Sequence, residues 1–531
     1  MPGEYSTARA ATALSVLALL SPIAGMAAEV ALAWRYGVST VADAYRIGSV
    51  LVLMGQQLLV LQILPHILVP VFARCSARDG VPEAWRAAQG VGNVFLLASA
   101  VIGAAVFIWP RPAVWMLAEG LRGEARADAT LFIRWLGLAY APLVITGTAT
   151  ALLYSQRIFW LPAAAQLLRN LLVAAAILIF PGRGGGPLLF ATLGSVVLGA
   201  VLTVARLVPL ARRDGARFTL QLGLDHPEVI HGIALSIPLV GVFLAGQWSP
   251  IVINRALSSL STGSVATFGY AFKMGLLVAL GPLSLATVLF PRFAEEHSSA
   301  AWERLESLGT RGLRMGLFLA VPVTACLIAL RGPVVALLFE RGAFGTAATT
   351  GVARLVGVLL LSTPAVVIAA HAQKMLYARQ QTWLPTLILL ANCVGLALLC
   401  PTIAGRWGAD GVAILYTALS SLGAASLLVP LYAGSSFSEL RQGIVFSLQL
   451  TGLGAASGWV GAMLGAIISH AASSPSLSSF LTAVGGCVGA CAAYLSASVA
   501  LSIPEAVACA SFARWQSVEL RRRMFGVARS G

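Results

Sequence analysis

The sequence predicts an all-α polytopic membrane protein with about 14 transmembrane helices, arranged as two pseudo-symmetric six-helix lobes plus a C-terminal helix pair. Three observations predict this. The 531 residues are 58% hydrophobic and only 10% charged, far outside soluble composition. Long apolar runs separated by short polar loops recur from end to end, and about 20 apolar residues suffice for a spanning helix. Motifs of the first half return in the second at a nearly constant offset.

Fourteen candidate spans centre near residues 23, 58, 98, 142, 170, 198, 242, 277, 322, 363, 393, 421, 456 and 490. The first run, from about Ala11 to Trp34, is too long for a signal-peptide core and lacks a strongly basic start, so it reads as a retained helix. The second opens at Ala42-Asp43-Ala44-Tyr45-Arg46, and the third is stopped by Trp109-Pro110. The mixed-charge segment 111–128 reads as a short amphipathic helix on the membrane face. Arg183-Gly184-Gly185-Gly186-Pro187 is a tight turn before the sixth span.

The polar linker 211–228 marks the boundary between halves. Leu153-Tyr154-Ser155-Gln156-Arg157, followed by Trp160-Leu161-Pro162, matches Leu376-Tyr377-Ala378-Arg379-Gln380, followed by Trp383-Leu384-Pro385, at an offset of 223. Val69-Pro70-Val71-Phe72-Ala73 is echoed by Phe290-Pro291-Arg292-Phe293-Ala294, with the prolines 221 apart. Six spans between copies make the repeat parallel, a plan that secondary transporters use to build two lobes around a central site. The expected organisation is a first lobe over 1–211, a second over 212–434, an additional helix pair over 435–503 and a basic cytoplasmic tail over 504–531.

The net charge of +15 does not point to nucleic acid, because its distribution follows topology. With the N-terminus inside, 21 of the Lys and Arg residues fall on inside segments, ending with Arg514, Arg521, Arg522, Arg523 and Arg529 of the tail. About nine fall outside, among them Arg35, Arg111, Arg183, Arg255 and Arg406. The positive-inside rule then places both termini in the cytoplasm, with the tail free to attract anionic lipid headgroups. Cys75, Cys326, Cys393, Cys400, Cys487, Cys491 and Cys509 lack the spacing of a metal site and read as packing residues.

Several chemistries are excluded. Neither lysine follows a glycine, so no P-loop exists, and no HExxH appears. No loop exceeds about 25 residues, so there is no room for a soluble catalytic domain. The carboxylates are scattered. No metal or cofactor is expected, and the reading is a transporter rather than an enzyme.

Intramembrane charge is the remaining signal. Lys273 lies in the middle of an apolar stretch from Ser264 to Ala294, and Lys374 is the other lysine of the chain. A central lysine costs roughly 2.5–3.5 kcal/mol on insertion scales, which favours a cavity over snorkelling for Lys273. Arg46 stands near an outer helix end, where either suits. Glu29 pairs with Arg46 or Lys273, or gates. Arg169 is a contact between lobes or a cavity residue. His66 reads as a core histidine rather than a proton carrier. A cavity with several cations and few acids suits an anionic substrate such as a pyrophosphate.

Ala42-Asp43-Ala44-Tyr45, Val69-Pro70, Gly263-Ser264-Val265-Ala266 with Tyr270-Ala271, and Ala286-Thr287-Val288-Leu289-Phe290-Pro291 resemble the MurJ/MviN family. So do Leu338-Phe339-Glu340-Arg341-Gly342-Ala343-Phe344 and Tyr377-Ala378-Arg379 followed by Pro385. That family shares a superfamily with MATE drug exporters and polysaccharide flippases. The resemblance implies two six-helix lobes in a V around a cationic cavity, and a last helix pair that forms a groove for a polyprenyl tail. It also implies alternating access that flips lipid-linked peptidoglycan precursor (lipid II) across the bacterial inner membrane. The partners implied are a polyprenyl-pyrophosphate-linked saccharide, membrane lipids and the enzymes of cell-wall or polysaccharide synthesis.

The chain departs from the family's pattern in its cavity. The family's helix-one arginines fall at Pro22 and Ala28, its helix-two arginine pair falls on Gln56 and Gln57, and its helix-eight arginine is Lys273. Glu29 and Asp43 are kept, and Arg46 stands as a relocated cation. The expected substrate-binding residues are thus Lys273, Arg46, Glu29, Asp43, Gln56, Gln57 and Arg169. Helices seven and eleven offer Asn254 and Asn392 in place of sodium-binding carboxylates, so sodium coupling is not expected. A flippase for another lipid-linked oligosaccharide is the second reading, and a MATE-like small-molecule antiporter the third.

Overall fold

The computed structural model describes residues 3–180, 182, 184–216, 219–298, 302–432, 437–470, 474–508 and 511. They form helices joined by short turns, with no strand among the described residues. Arg183, Arg217, Cys509 and the tail arginines Arg514, Arg521, Arg522, Arg523 and Arg529 lie outside them.

Two compact units emerge. The first comprises Met1–Tyr270, Phe339–Ala348 and Leu389–Val412. Its helices are α1 (Gly3–Tyr36), α2 (Thr40–Gly55), α3 (Leu64–Arg78), α4 (Val81–Ile108), α5 (Arg111–Ala118), α6 (Gly123–Leu136), α7 (Tyr140–Ser155), α8 (Trp160–Ile179), α9 (Gly186–Arg213) and α10 (Pro227–Ser258). To these it adds the first turns of α11 (Ser264–Ser298). Between α2 and α3 the chain winds as a π-helix over Gln56–Ile63. In place of one amphipathic helix over 111–128, α5 ends at Ala118 and α6 starts anew at Gly123, which has φ +56°. Inside this unit α1 packs on α8, α2 on α6, and α3 on α4 and α7.

The second unit comprises Ala271–Leu338, Thr349–Ile388 and Ala413–Gly531. It holds the rest of α11, then α12 (Trp302–Ala329), α13 (Arg331–Phe339), α14 (Thr346–Leu359), α15 (Thr363–Ala378), parts of α16 (Trp383–Tyr432), α17 (Phe437–Ser469) and α18 (Pro475–Ala500). α17 packs against both α18 and α12. Glycines permit that approach: a Cβ at Gly461 would lie 2.4 Å from the Gly486 carbonyl, and one at Gly458 would lie 2.9 Å from that of Ala325. Small residues at helix crossings are how helices associate in lipid, where tails are as apolar as leucine. Arg314 of α12 donates to Glu505 at 2.8 Å and stacks over Phe446 of α17 at 4.1 Å. The expected tail thus begins as packed structure, with Glu505 and Ala506 buried.

Eleven segments among the described residues are long and apolar enough to cross a membrane, and the expected count of fourteen is not confirmed. One of the eleven is the 50-residue α16, interrupted at Gly408 by φ +61° and ψ −151°. The helical segments expose Ile108, Phe190 and Val288 strongly, as a surface solvated by lipid does. This is a multi-pass membrane protein.

The repeat seen in the sequence recurs in the helix boundaries. Gly123 and Thr346 begin α6 and α14, Leu136 and Leu359 end them, and both helices run through a 3-10 turn into α7 and α15. Each pair of positions is 223 apart. Arg157 and Gln380, also 223 apart, both have φ +60°. In the first copy Ile158 N–H bonds the Leu153 carbonyl at 2.8 Å and Arg157 N–H bonds that of Tyr154 at 2.9 Å. In the second, Gln381 bonds Leu376 at 2.9 Å and Gln380 bonds Tyr377 at 3.0 Å. Both are Schellman caps closed on a non-glycine residue.

A side chain in that left-handed conformation costs about 1–2 kcal/mol. Replacing Gln380 by glycine, which has no Cβ penalty, is expected to raise the melting temperature in detergent. Gln380→Val is expected to lower it; the reverse order would contradict this assignment of strain.

Candidate functional site

Polar side chains of the first unit gather where α1, α2, α8 and α11 converge. Arg46, in the second turn of α2, donates to Glu29 of α1 at 2.6 Å, and the two side chains are 13% and 17% exposed. Its guanidinium lies over the Tyr270 ring, 4.2 Å from the centroid. The space for it is made by Gly269, where a Cβ would fall 2.5 Å from Arg46 Nη1. Charge pairing and stacking together offset the desolvation that a buried arginine suffers. Glu29 therefore pairs with Arg46 in this conformation.

Asp43, three residues before Arg46, is 3% exposed. Its carboxylate accepts from the backbone N–H groups of Gly263 and Ala266, both at 2.6 Å. These are free donors at the start of α11, so Asp43 caps that helix from a distance of 220 residues in sequence. Gly263 has φ +88°, and a Cβ there would fall 2.7 Å from the Val38 carbonyl. The carboxylate expected in a substrate cavity is engaged as a brace.

The same brace absorbs the Leu338–Phe344 motif. Ala343 N–H donates to the Trp34 carbonyl at 2.8 Å, and Tyr270 Oη donates to that of Gly37 at 3.0 Å. Tyr270, Phe339 and Phe344 are almost wholly buried and their rings contact one another, with centroids 5.3–5.7 Å apart. In the sequence Tyr270 stands out only as part of the Gly263–Ala271 motif. Its role depends on contacts over 233 residues and has no local signal.

The glutamine pair divides. Gln56 is buried and donates to Gln166 of α8, whereas Gln57 is exposed. Both sit at the start of the π-helix, a form often found at functional sites. Arg169 of α8 is half-buried and its Nε lacks a hydrogen-bond partner among the described residues, and Tyr45 is within hydrogen-bond distance of Thr192 of α9 at 3.2 Å. Arg46 and Arg169 thus stand as two cations in this part of the unit, beside the carboxylates of Glu29 and Asp43.

Lys273 belongs to the second unit, half-buried on α11. Lys374 lies over the Phe290 ring at 5.1 Å, and Arg354 is exposed. His66 is exposed and bonds its own helix at Gln62. A separate apolar cavity of about 520 Å³ in the first unit is lined by Trp115, Met116, Trp248, Val252 and Arg255, and contains none of the expected residues. Among the described residues no group of His, Cys, Asp and Glu could hold a metal ion.

A family model described as "Lipid II flippase MurJ" matches residues 32–481. A "Probable lipid II flippase MurJ" of Rhizobium tropici is 28% identical over 78% of this chain and 78% of its own length. A "Lipid II flippase MurJ" of Burkholderia cenocepacia is 25% identical over 72% of this chain and 75% of its own. Among solved structures, "Lipid II flippase MurJ, inward closed conformation" superposes with a TM-score of 0.76 at 17% identity, covering 92% of this chain and 99% of that one. An inward-facing multidrug resistance MATE family transporter superposes with a TM-score of 0.64 at 18% identity, covering 79% and 99%.

Removing the Asp43 carboxylate leaves two buried N–H donors unpaired, at about 1–3 kcal/mol each. Asp43→Ala is expected to speed amide exchange at Gly263 and Ala266 and to lower the melting temperature. Asp43→Asn, which keeps one acceptor, is expected to fall between. Unchanged exchange at those amides would show that the cap carries no load.

Proposed function

Because the chain belongs to the lipid II flippase MurJ family, we propose that it translocates undecaprenyl-pyrophosphate-linked peptidoglycan precursor, lipid II, across the bacterial inner membrane. The transport is by alternating access between the repeated halves, 1–211 and 212–434, with 435–503 as an added helix pair and both termini cytoplasmic. The observation that carries this reading is the cationic polar cluster held inside an apolar, lipid-solvated bundle.

Of the cluster, Arg46 and Arg169 bind the pyrophosphate, arginine being suited to bidentate contact with phosphate oxygens. Lys273 adds a point charge, and it has no ion-pair partner among the described residues. Glu29 holds Arg46 in place and competes with the anion for it, so substrate arrival loosens the Glu29–Arg46 pair. Gln57, exposed on the π-helix, bonds saccharide or phosphate oxygen, while Gln56 fixes the π-helix to α8. Asp43 holds the start of α11 to the α1–α2 connection and so keeps one end of the path shut. Release of that cap opens it. Membrane lipids surround the path, and synthesis enzymes of the cell wall are the partners that supply the cargo.

A flippase of another lipid-linked oligosaccharide would use the same cations, since the pyrophosphate is common to both cargoes. The test is complementation of a Gram-negative host depleted of its own lipid II flippase, with membrane insertion checked by blot. Rescue by the wild type and loss of rescue in Lys273→Ala and Arg46→Ala, at equal expression, are the expected results. Failure of the wild type at good expression would move the cargo to another lipid-linked saccharide. Rescue by both variants would overturn the assignment of the site.

A further inference from the structure

α15 carries a titratable side chain for which the flippase reading has no use. His371 is 1% exposed, and neither ring nitrogen has a hydrogen-bond partner among the described residues. A neutral imidazole presents one donor and one acceptor, so both are left unsatisfied where no water reaches. Packing does not explain this, since an apolar side chain of similar size would fill the space without the penalty.

The ring has a seat built for it. It lies against α12, where a Cβ at Gly312 would fall 2.6 Å from Nε2 and one at Gly316 would fall 3.9 Å from Nδ1. Phe293 of α11 meets it edge-on, with ring centres 6.2 Å apart. The charged groups on the surrounding helices are directed elsewhere or stand apart. On α15, Lys374 is over Phe290. On α12, Arg311 is exposed and Arg314 bonds Glu505. On α11, Arg292 and Glu295 are exposed and Glu296 is half-buried, and none of the three bonds the ring. Tyr432, from the end of α16 packed on the same core, is within hydrogen-bond distance of Thr310 at 3.4 Å. The seat is closed to bulk solvent and holds no counter-charge among the described residues.

We propose that His371 is a proton-binding site whose occupancy sets the packing of α15 on α12. In the conformation described here the ring is neutral. An imidazolium has no counter-ion in that seat, so the charged form is accommodated only where α15 has moved far enough for water or a carbonyl to reach the ring. The proton comes from water and returns to it, and no bond of the protein is made or broken. A group that takes up one proton in only one of two conformations shifts their ratio by up to about tenfold per pH unit. The sign follows: low pH favours the separated arrangement, and high pH the packed one. This goes beyond the flippase reading and does not depend on the identity of the cargo.

The test uses the full chain in lipid nanodiscs and no substrate. Nitrogen-15 spectra of histidine-labelled protein between pH 8 and 5, with the His371 signal assigned by its loss in His371→Leu, read the ring's protonation directly. Spin labels on the exposed positions Ser307 of α12 and Tyr377 of α15, in a background with the native cysteines replaced, read the α12–α15 distance. The expected result is a ring that protonates within this range, a distance distribution that shifts with the same midpoint, and a His371→Leu protein that keeps its high-pH distribution throughout. A ring that stays neutral to pH 5 would overturn the proposal. So would a distance shift that persists undiminished in His371→Leu. Because neither readout involves transport, failure here leaves the flippase reading standing, and failed complementation leaves this one standing.

Discussion

The hold of the Asp43 carboxylate on the start of α11 is the contact from which the rest of the site follows. Two short bonds from backbone N–H groups fix where α11 begins. That places Gly269 and Tyr270 two turns further on, where the one makes room for the Arg46 guanidinium and the other stacks beneath it. Arg46 lies on the same helix as Asp43, so brace and cation move as one piece. The aromatic trio of Tyr270, Phe339 and Phe344 then closes the packing behind them. Anionic capping of a helix start is strong where water is scarce, because the dipole and the free donors are unscreened.

Such a brace suits a transporter better than a larger apolar contact would. A dry apolar interface resists opening in proportion to its area, whereas two hydrogen bonds to one carboxylate break together once water enters. The ion pair of Glu29 with Arg46 has the same character. It neutralises a cation that is largely removed from solvent.

Much of this was legible in the sequence. The 223-residue offset predicted boundaries that the helices keep, from Gly123 and Thr346 to the matched caps at Arg157 and Gln380. It was legible because turn chemistry and helix ends are local. The partner of Glu29 was not, since Arg46 and Lys273 offered equal chemistry and only the fold selects between them. His66 lies in an apolar run, yet it is exposed and bonds the Gln62 carbonyl one turn earlier. The burial of His371 was not legible, because glycine seats on another helix leave no trace near it in sequence. The count of fourteen spans is not confirmed: eleven segments among the described residues are long and apolar enough, and one of them, α16, is interrupted at Gly408.

The central claim is that the cations of this chain recognise a lipid-linked pyrophosphate. The most direct measurement is native mass spectrometry of the purified protein titrated with undecaprenyl-pyrophosphate-linked substrate, comparing the wild type with the double variant Arg46→Gln, Lys273→Gln. The account predicts a saturable complex with the wild type and at least a tenfold weaker one with the double variant, about 1.4 kcal/mol. Equal affinity for both proteins would contradict it.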